Sequence, residues 1–371
     1  MKTIVCIVGA RPNFMKVAPI MRQFALCDGI SVRLAHTGQH YDESLSGQFF
    51  RDLEIRAPEI NLNVGSGSHA VQTGRIMAGL DEILDPDGVD AVLVVGDVNS
   101  TLAGALVAAK KCIPVIHVES GLRSFDRTMP EEINRILTDR ISDVLFVTEQ
   151  TGVDNLLAEG IAAERIRLVG NVMIDSLFHA LPRAIPASRT LSKSGLDPEA
   201  REISRDKYAL LTLHRPSNVD DPQVLGPLLE AVVEIADEMP VIFPAHPRTR
   251  AAIDAANFTE LATHPRLAVM DPLAYFEMVG LLKDAALVLT DSGGLQEESA
   301  ALGIPCLTLR ENTERPITVA AGTNTIVGNS PDALRAAFLR YRETDTAETT
   351  IPDLWDGRAA ERIVAEIVNW I

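Results

Sequence analysis

The sequence predicts an α/β protein of two Rossmann-like, doubly wound domains facing a cleft. Three observations predict it. Short apolar runs rich in β-branched residues alternate with helix-length segments. Those runs are apolar on both faces, as strands must be in a parallel sheet covered by helices on either side. Near residue 180 the alternation stops, and it resumes near residue 208.

The elements follow in order. "KTIVCIVG" reads as a buried strand leading into a helix from about Met15, and "ISVRLAHTG" as the next strand. "VDAVLVVGD", "IPVIHVES" and "SDVLFVT" are further strands, each separated by a helical segment. Leu181 to Asp206 is rich in proline, serine and charge, which suits a linker plus a surface helix. The pattern restarts with "YALLTLHR", "MPVIFPAH", "LAVMD", "AALVLTDSGG" and "IPCLTLR". From Arg358 an amphipathic helix follows, placed to pack back on the first domain. The expected organisation is thus a first domain over 1–178, a linker over 179–206, a second domain over 207–357 and a closing helix over 358–371. Ligands in open α/β sheets bind beyond the carboxyl ends of the strands, so the cleft is expected there.

Bulk properties narrow the function. At 371 residues the chain favours two domains. A net charge of −17 argues against nucleic acid as partner, because phosphate backbones demand a basic surface. No apolar stretch approaches the ~18 residues a spanning helix needs, and no signal-peptide pattern opens the chain, so no membrane partner and a cytoplasmic location are expected. Cys6, Cys112 and Cys306 lie in or beside apolar runs and read as buried, inert thiols; with Cys27 they form no metal-binding spacing. The histidines show no metalloprotease-like spacing either, so no metal is expected.

Chemistry gathers at strand ends. Asp97 in "VVGDVNST" and Glu119 in "VIHVES" close buried strands, where a carboxylate is desolvated unless it lines a crevice. Glu131 and Glu132 follow Pro130; first-turn acids complement a helix dipole, and they also stand close enough in sequence to join a carboxylate cluster. Converging carboxylates drive one another's pKa values apart, the prerequisite for acid–base work on a weakly acidic C–H bond. Arg11 and Lys16, in the first turn after the opening strand, either snorkel to water or receive an anion. In the second half, Ser292, Gly293 and Gly294 form a turn after a strand, a pyrophosphate cradle if the following helix offers free N–H groups. Glu298 reads as a ribose contact or a solvated helix residue, and Arg315 of "ENTERP" as a phosphate contact or a surface ion pair. His214 and Arg215 end the first strand of this half, and His246 of "PAHPR" ends another. Neither a G-x-G-x-x-G fingerprint with its later acid nor a P-loop is present, which leaves nicotinamide and P-loop chemistry unsupported.

Taken together, "GARPNFMK", "VGDVNST", "HVESGLRS", "MPEEINR", "TLHRPSN", "LTDSGGLQEE" and "ENTERP" resemble the bacterial non-hydrolysing UDP-N-acetylglucosamine 2-epimerases, over nearly the whole chain and in the same order. The resemblance implies a glycosyltransferase-B-like arrangement, a homodimer, and interconversion of UDP-N-acetylglucosamine and UDP-N-acetylmannosamine with no cofactor. It also implies elimination of UDP to 2-acetamidoglucal followed by re-addition. By the same resemblance, Asp97, Glu119 and Glu131 are the proton-transfer and charge-stabilising carboxylates, and His214 assists UDP departure. Arg11 and Lys16 then face the sugar diphosphate, while Ser292, Gly293, Gly294, Glu298 and Arg315 hold UDP. Departures from the family's best-known branch ("GARPN" for "GTRPE", "HRPSN" for "HRRES", Ser68-His69 for a basic–polar pair) fall where that branch binds an activating substrate molecule, although Gln39 and His40 remain. Weak or absent substrate activation is therefore expected. A hydrolysing epimerase and a UDP-sugar glycosyltransferase of the same architecture are the alternatives.

Overall fold

The computed structural model describes residues 1–38, 53–192, 208–256, 258, 264–343 and 350–371. It divides into two compact units. Unit 1 holds Met1–Ser176 with Asp353–Ile371, and unit 2 holds Leu177–Pro352.

Unit 1 runs β1 (Lys2–Val8), α1 (Arg11–Phe24), β2 (Ile30–His36), β3 (Ile60–Asn61), α2 (His69–Ile83), β4 (Ala91–Val95), α3 (Asn99–Lys110), β5 (Val115–Ser120), α4 (Pro130–Ile141), β6 (Val144–Val147), α5 (Gln150–Ala158), β7 (Ile166–Leu168) and the start of α6 (Val172–Ala180). Its sheet is parallel, in the order β3-β2-β1-β4-β5-β6-β7. Every residue of β4 is buried, as a central strand with helices on both faces requires. Strand order reverses between β1 and β4, which makes their carboxyl ends a topological switch point.

Helix α1 begins at Arg11, four residues before the expected start near Met15. Asn13 explains the early start: its Oδ1 accepts the N–H groups of Gly9 (3.0 Å) and Ala10 (3.1 Å), and its Nδ2 donates to the Val95 carbonyl at 3.0 Å. Pro12 sits in the first turn, where its missing N–H costs nothing. Arg11 and Lys16 are therefore helical residues and not part of a turn; the Arg11 side chain lies outside the described residues.

Unit 2 continues with α7 (Ala187–Leu191), β8 (Ala209–Thr212), α8 (Pro216–Val219), α9 (Pro222–Glu238), β9 (Val241–Pro244), α10 (Pro247–Ala255), β10 (Leu267–Met270), α11 (Tyr275–Lys283), β11 (Leu287–Thr290), α12 (Gly293–Ala301), β12 (Cys306–Thr308), α13 (Pro316–Ala320), β13 (Asn324–Ile326) and α14 (Pro331–Glu343). The parallel order β10-β9-β8-β11-β12-β13 repeats the plan of unit 1, with its switch point between β8 and β11. The stretch expected as linker and surface helix is packed as far as residue 192. The Ile185 N–H donates to the Phe276 carbonyl at 3.0 Å, and Leu191 lies in the core with Tyr208 and Leu281. The rest of that stretch, 193–206, is outside the described residues.

A last helix, α15 (Ala359–Trp370), belongs to unit 1 and packs on α1. Asp175 caps it, taking the N–H groups of Ala359 at 3.0 Å and Ala360 at 2.7 Å. Its buried stripe of Ala359, Ala360, Ile363, Val364 and Ile367 follows helical spacing. Among the described residues no helix is long and apolar enough to cross a membrane.

Two cysteine expectations part company. Cys6 and Cys306 are buried, and burial pushes both thiols up to about 12. Cys112 is exposed, because it sits in the turn between α3 and β5 with φ +57° and does not join the strand.

Candidate active site

Unit 1 brings its charged groups to the switch point in pairs. Lys16, on the second turn of α1, is buried with its ammonium on Glu119 Oε2. The side chains of the two are 9% and 4% exposed, so Lys16 does not snorkel and within the protein it pairs with a carboxylate. Gly96 lets them meet. A Cβ there would stand 2.8 Å from Lys16 Nζ, and its φ of +67° favours glycine. Glu119 itself has φ +70°, a conformation that costs a non-glycine residue about 1–3 kcal/mol and gathers at functional sites. The neighbouring Ser120 donates through Oγ to the Phe146 carbonyl at 3.0 Å, where the β5–β6 register shifts.

Asp97 stands two residues beyond β4 with its side chain 27% exposed. Arg135 of α4 donates to its Oδ2 at 2.6 Å and, through the other arm of the guanidinium, to Glu132 Oε2 at 2.8 Å. Glu132 is an anchor. It also accepts the Ser124 N–H (2.9 Å), the Ser124 hydroxyl (3.1 Å) and the Phe125 N–H (3.1 Å), tying down the loop before α4. Burial alone would raise the Glu132 carboxyl; the bonds from Ser124 and the Arg135 guanidinium outweigh it and hold it below the ordinary carboxylate range. Glu131, next door, is half-buried and makes no hydrogen bond or ion pair among the described residues.

A second buried set braces β4 and β5 beneath. His117 Nδ1 lies 2.7 Å from Asp139 Oδ1 and its Nε2 lies 2.8 Å from the Gly96 carbonyl. Asp139 Oδ2 accepts the Gly121 N–H at 3.1 Å and pairs with Arg123 at 2.8 Å. Against the effect of burial, His117 and Arg123 keep the Asp139 carboxyl low. Ser68 and His69 are placed as well: Ser68 caps α2, and His69 Nδ1 is 3.3 Å from Asn99 Oδ1. Gln39 and His40 lie outside the described residues.

Unit 2 is built differently. Asp291, fully buried at the end of β11, accepts the backbone N–H groups of His214 (3.0 Å) and Arg215 (2.8 Å) and the Asn218 amide at 3.1 Å. Its other oxygen lies 2.8 Å from His214 Nδ1. That contact fixes the ring and turns Nε2 outward, since the His214 side chain is 40% exposed. Burial works to raise the Asp291 carboxyl, but His214 and the two N–H groups hold it low. The Arg215 guanidinium has no ion pair among the described residues, and its Nε is buried without a partner. His246, 6.2 Å from His214 between ring centroids, accepts the Arg248 N–H on Nδ1 at 3.3 Å and so caps α10. Burial first, then His214 and Arg248, keep it below the usual histidine range.

Beyond β11, Ser292 precedes α12 without a side-chain cap, leaving the first-turn N–H groups uncapped. A Cβ on Gly293 would touch nothing within 4 Å, and one on Gly294 only Ser292 Oγ at 3.9 Å. The backbone there borders open space, as an anion cradle needs. Glu298 is buried and not solvated. Burial, then Glu297, push its carboxyl up to about 8, opposed by the Tyr275 hydroxyl 3.4 Å away. Arg315 is no surface pair either: its Nε lies 2.5 Å from Glu297 Oε1, and both side chains are largely buried.

Three contributors escaped sequence reading: Arg135, Asp291 and Glu297. The first two had a visible signal. Asp291 ends a buried strand, as Asp97 and Glu119 do, and Arg135 lies one turn after Glu131 and Glu132.

The comparisons with known proteins agree with the fold. The family model described as UDP-N-acetylglucosamine 2-epimerase matches residues 25–368. A UDP-N-acetylglucosamine 2-epimerase of Methanocaldococcus jannaschii is 43% identical over 331 residues, 88% of this chain and 89% of its own length. The Pseudomonas aeruginosa UDP-2,3-diacetamido-2,3-dideoxy-D-glucuronate 2-epimerase is 41% identical over 98% of each chain. The crystal structure of the M. jannaschii UDP-GlcNAc 2-epimerase in complex with UDP-GlcNAc and UDP covers all of both chains with a TM-score of 0.83 and 40% identity. With two doubly wound units and a match that runs through both, the chain belongs to the UDP-N-acetylglucosamine 2-epimerase family.

Proposed function

We propose that the protein interconverts UDP-N-acetylglucosamine and UDP-N-acetylmannosamine by eliminating and re-adding UDP across C1–C2 of the sugar. Carbon 2 has no adjacent carbonyl, so its proton cannot leave to give a stabilised enolate. In the reading we favour, a carboxylate takes the C2 proton, the C2–H electron pair becomes the C1=C2 double bond, and the C1–O bond breaks to release UDP. Protonation of the 2-acetamidoglucal on the opposite face and return of UDP to C1 complete the inversion. Asp97 and Glu131 handle the proton, and Glu119 faces the positive character that develops at C1. His214, oriented by Asp291, supports the departing diphosphate with Arg11 and Arg215. Ser292, Gly293 and Gly294 receive its phosphates, Glu298 the ribose, and His246 lies beside them. Lys16 faces the sugar diphosphate from its place on Glu119, and Arg315 holds UDP from its place on Glu297. The observation that carries the reading is the contrast at the two switch points, carboxylates at the end of β4 and β5 and an open glycine turn beside Arg215 in unit 2. We place the enzyme in the cytoplasm and, as the resemblance implies, as a homodimer.

A second substrate deserves the same assay, because the P. aeruginosa relative that matches almost the full length is named for a 2,3-diacetamido uronate. Each UDP-sugar is incubated alone with the protein in D2O and followed by proton NMR. Deuterium at C2 with formation of the C2 epimer is the expected outcome for UDP-N-acetylglucosamine. Free sugar plus UDP points to a hydrolase, and no change without an acceptor points to a transferase.

A further inference from the structure

We infer that Arg135 is a positioning residue for this reaction: it sets the Asp97 carboxylate against Glu131 by tying both to α4. The inference rests on the epimerase reading above and adds a role that the carboxylates alone do not supply. A guanidinium stays charged in a protein, and this one is only 4% exposed, so its arms need fixed acceptors. One arm takes Asp97 Oδ2 at 2.6 Å and leaves Oδ1 without an ion pair among the described residues; the other takes Glu132 Oε2 at 2.8 Å. The preceding residue completes the hold: Asn134 Nδ2 donates to the Asp97 backbone carbonyl at 2.9 Å. Main chain and side chain of Asp97 are therefore both fixed from α4. Glu131 is on the first turn of that same helix, so α4 determines where the two carboxylates stand relative to one another. Glu132 locks the helix start in turn, through Ser124 and Phe125. Misplacing one of two proton-handling groups by an ångström costs about 10²-fold in rate, so the bridge matters to kcat far more than to binding.

The test compares wild type, Arg135→Lys and Arg135→Met in the D2O assay, with UDP affinity measured separately. Wild type is assayed first, and its failure to exchange C2 deuterium or form the epimer would overturn the epimerase reading and this role with it. With wild type active, Arg135→Met is expected to lower kcat about 10²-fold while KM and the Kd for UDP move less than threefold. Added guanidinium ion should recover part of that rate, and Arg135→Lys, which reaches one carboxylate only, should fall between. In an Asp97→Asn background, Arg135→Met should cost almost nothing further. The role is overturned if kcat of Arg135→Met stays within threefold of wild type, if KM rises by the factor kcat falls, or if the losses of the two substitutions simply multiply. It is also overturned if Arg135→Lys and Arg135→Met lose activity only in step with a lowered melting temperature and guanidinium restores nothing.

Discussion

At the switch point of unit 1, Lys16 is joined to Glu119 and Arg135 to Asp97 and Glu132. At that of unit 2, Arg215 has no ion pair among the described residues and Gly293 and Gly294 border open space. The same strand order therefore serves two purposes. Unit 1 holds charge in fixed positions, which is what stabilising a developing charge requires, because dipoles already oriented need no reorganisation. Unit 2 leaves backbone N–H groups uncapped at the start of α12, and on the proposed reading these and the Arg215 guanidinium receive a charge that comes from outside.

Substitutions can break this contrast. On the proposed mechanism Asp97→Asn removes a proton-handling carboxylate but keeps its shape; kcat should fall about 10³-fold with little change in melting temperature. Glu119→Gln strands the buried Lys16 ammonium, so unfolding in urea should show a loss of about 3–5 kcal/mol, the usual consequence of orphaning one partner of a buried pair. A loss under 1 kcal/mol there would mean that unit 1 does not depend on its internal pairing. Asp291→Asn disturbs the orientation of His214, and steady-state kinetics should register about a 10²-fold drop in kcat. Gly293→Val sharpens the other side of the contrast. Its side chain enters open space, so stability should shift by about 0.5 kcal/mol or less while the Kd for UDP by calorimetry rises about tenfold or more.

The smallest effect concerns pH. Burial and Glu297 hold the Glu298 proton up to about 8, so the folded chain binds it more tightly than the unfolded chain does. The stability it lends is complete below the ordinary carboxylate range and is lost as pH rises towards 8. Glu298→Gln should flatten the melting temperature across that window; an unchanged slope would assign the pH dependence to other groups.

Much of this was legible in the sequence. The long central strands showed themselves as apolar runs, while β3, β7 and β13 did not: each is two or three residues at a sheet edge, too short for any periodicity. Asp97 and Glu119 stand out in the sequence because a carboxylate closing a buried strand needs an explanation. What stayed hidden was pairing across the fold. Lys16 and Glu119 lie 103 positions apart and Asp291 and His214 lie 77 apart, and no local pattern records a partner at that range. Early initiation of α1 was missed for a related reason, since the Asn13 side chain that arranges it also reaches to Val95 on another strand.

One further consequence follows from Asp175 and α15. The carboxylate that caps α15 and the helix itself are separated by the whole of unit 2. During synthesis, then, unit 1 must wait with part of α1 uncovered until residues near Ile367 leave the ribosome. Chaperone dependence should consequently be concentrated in the half of the chain that is made first.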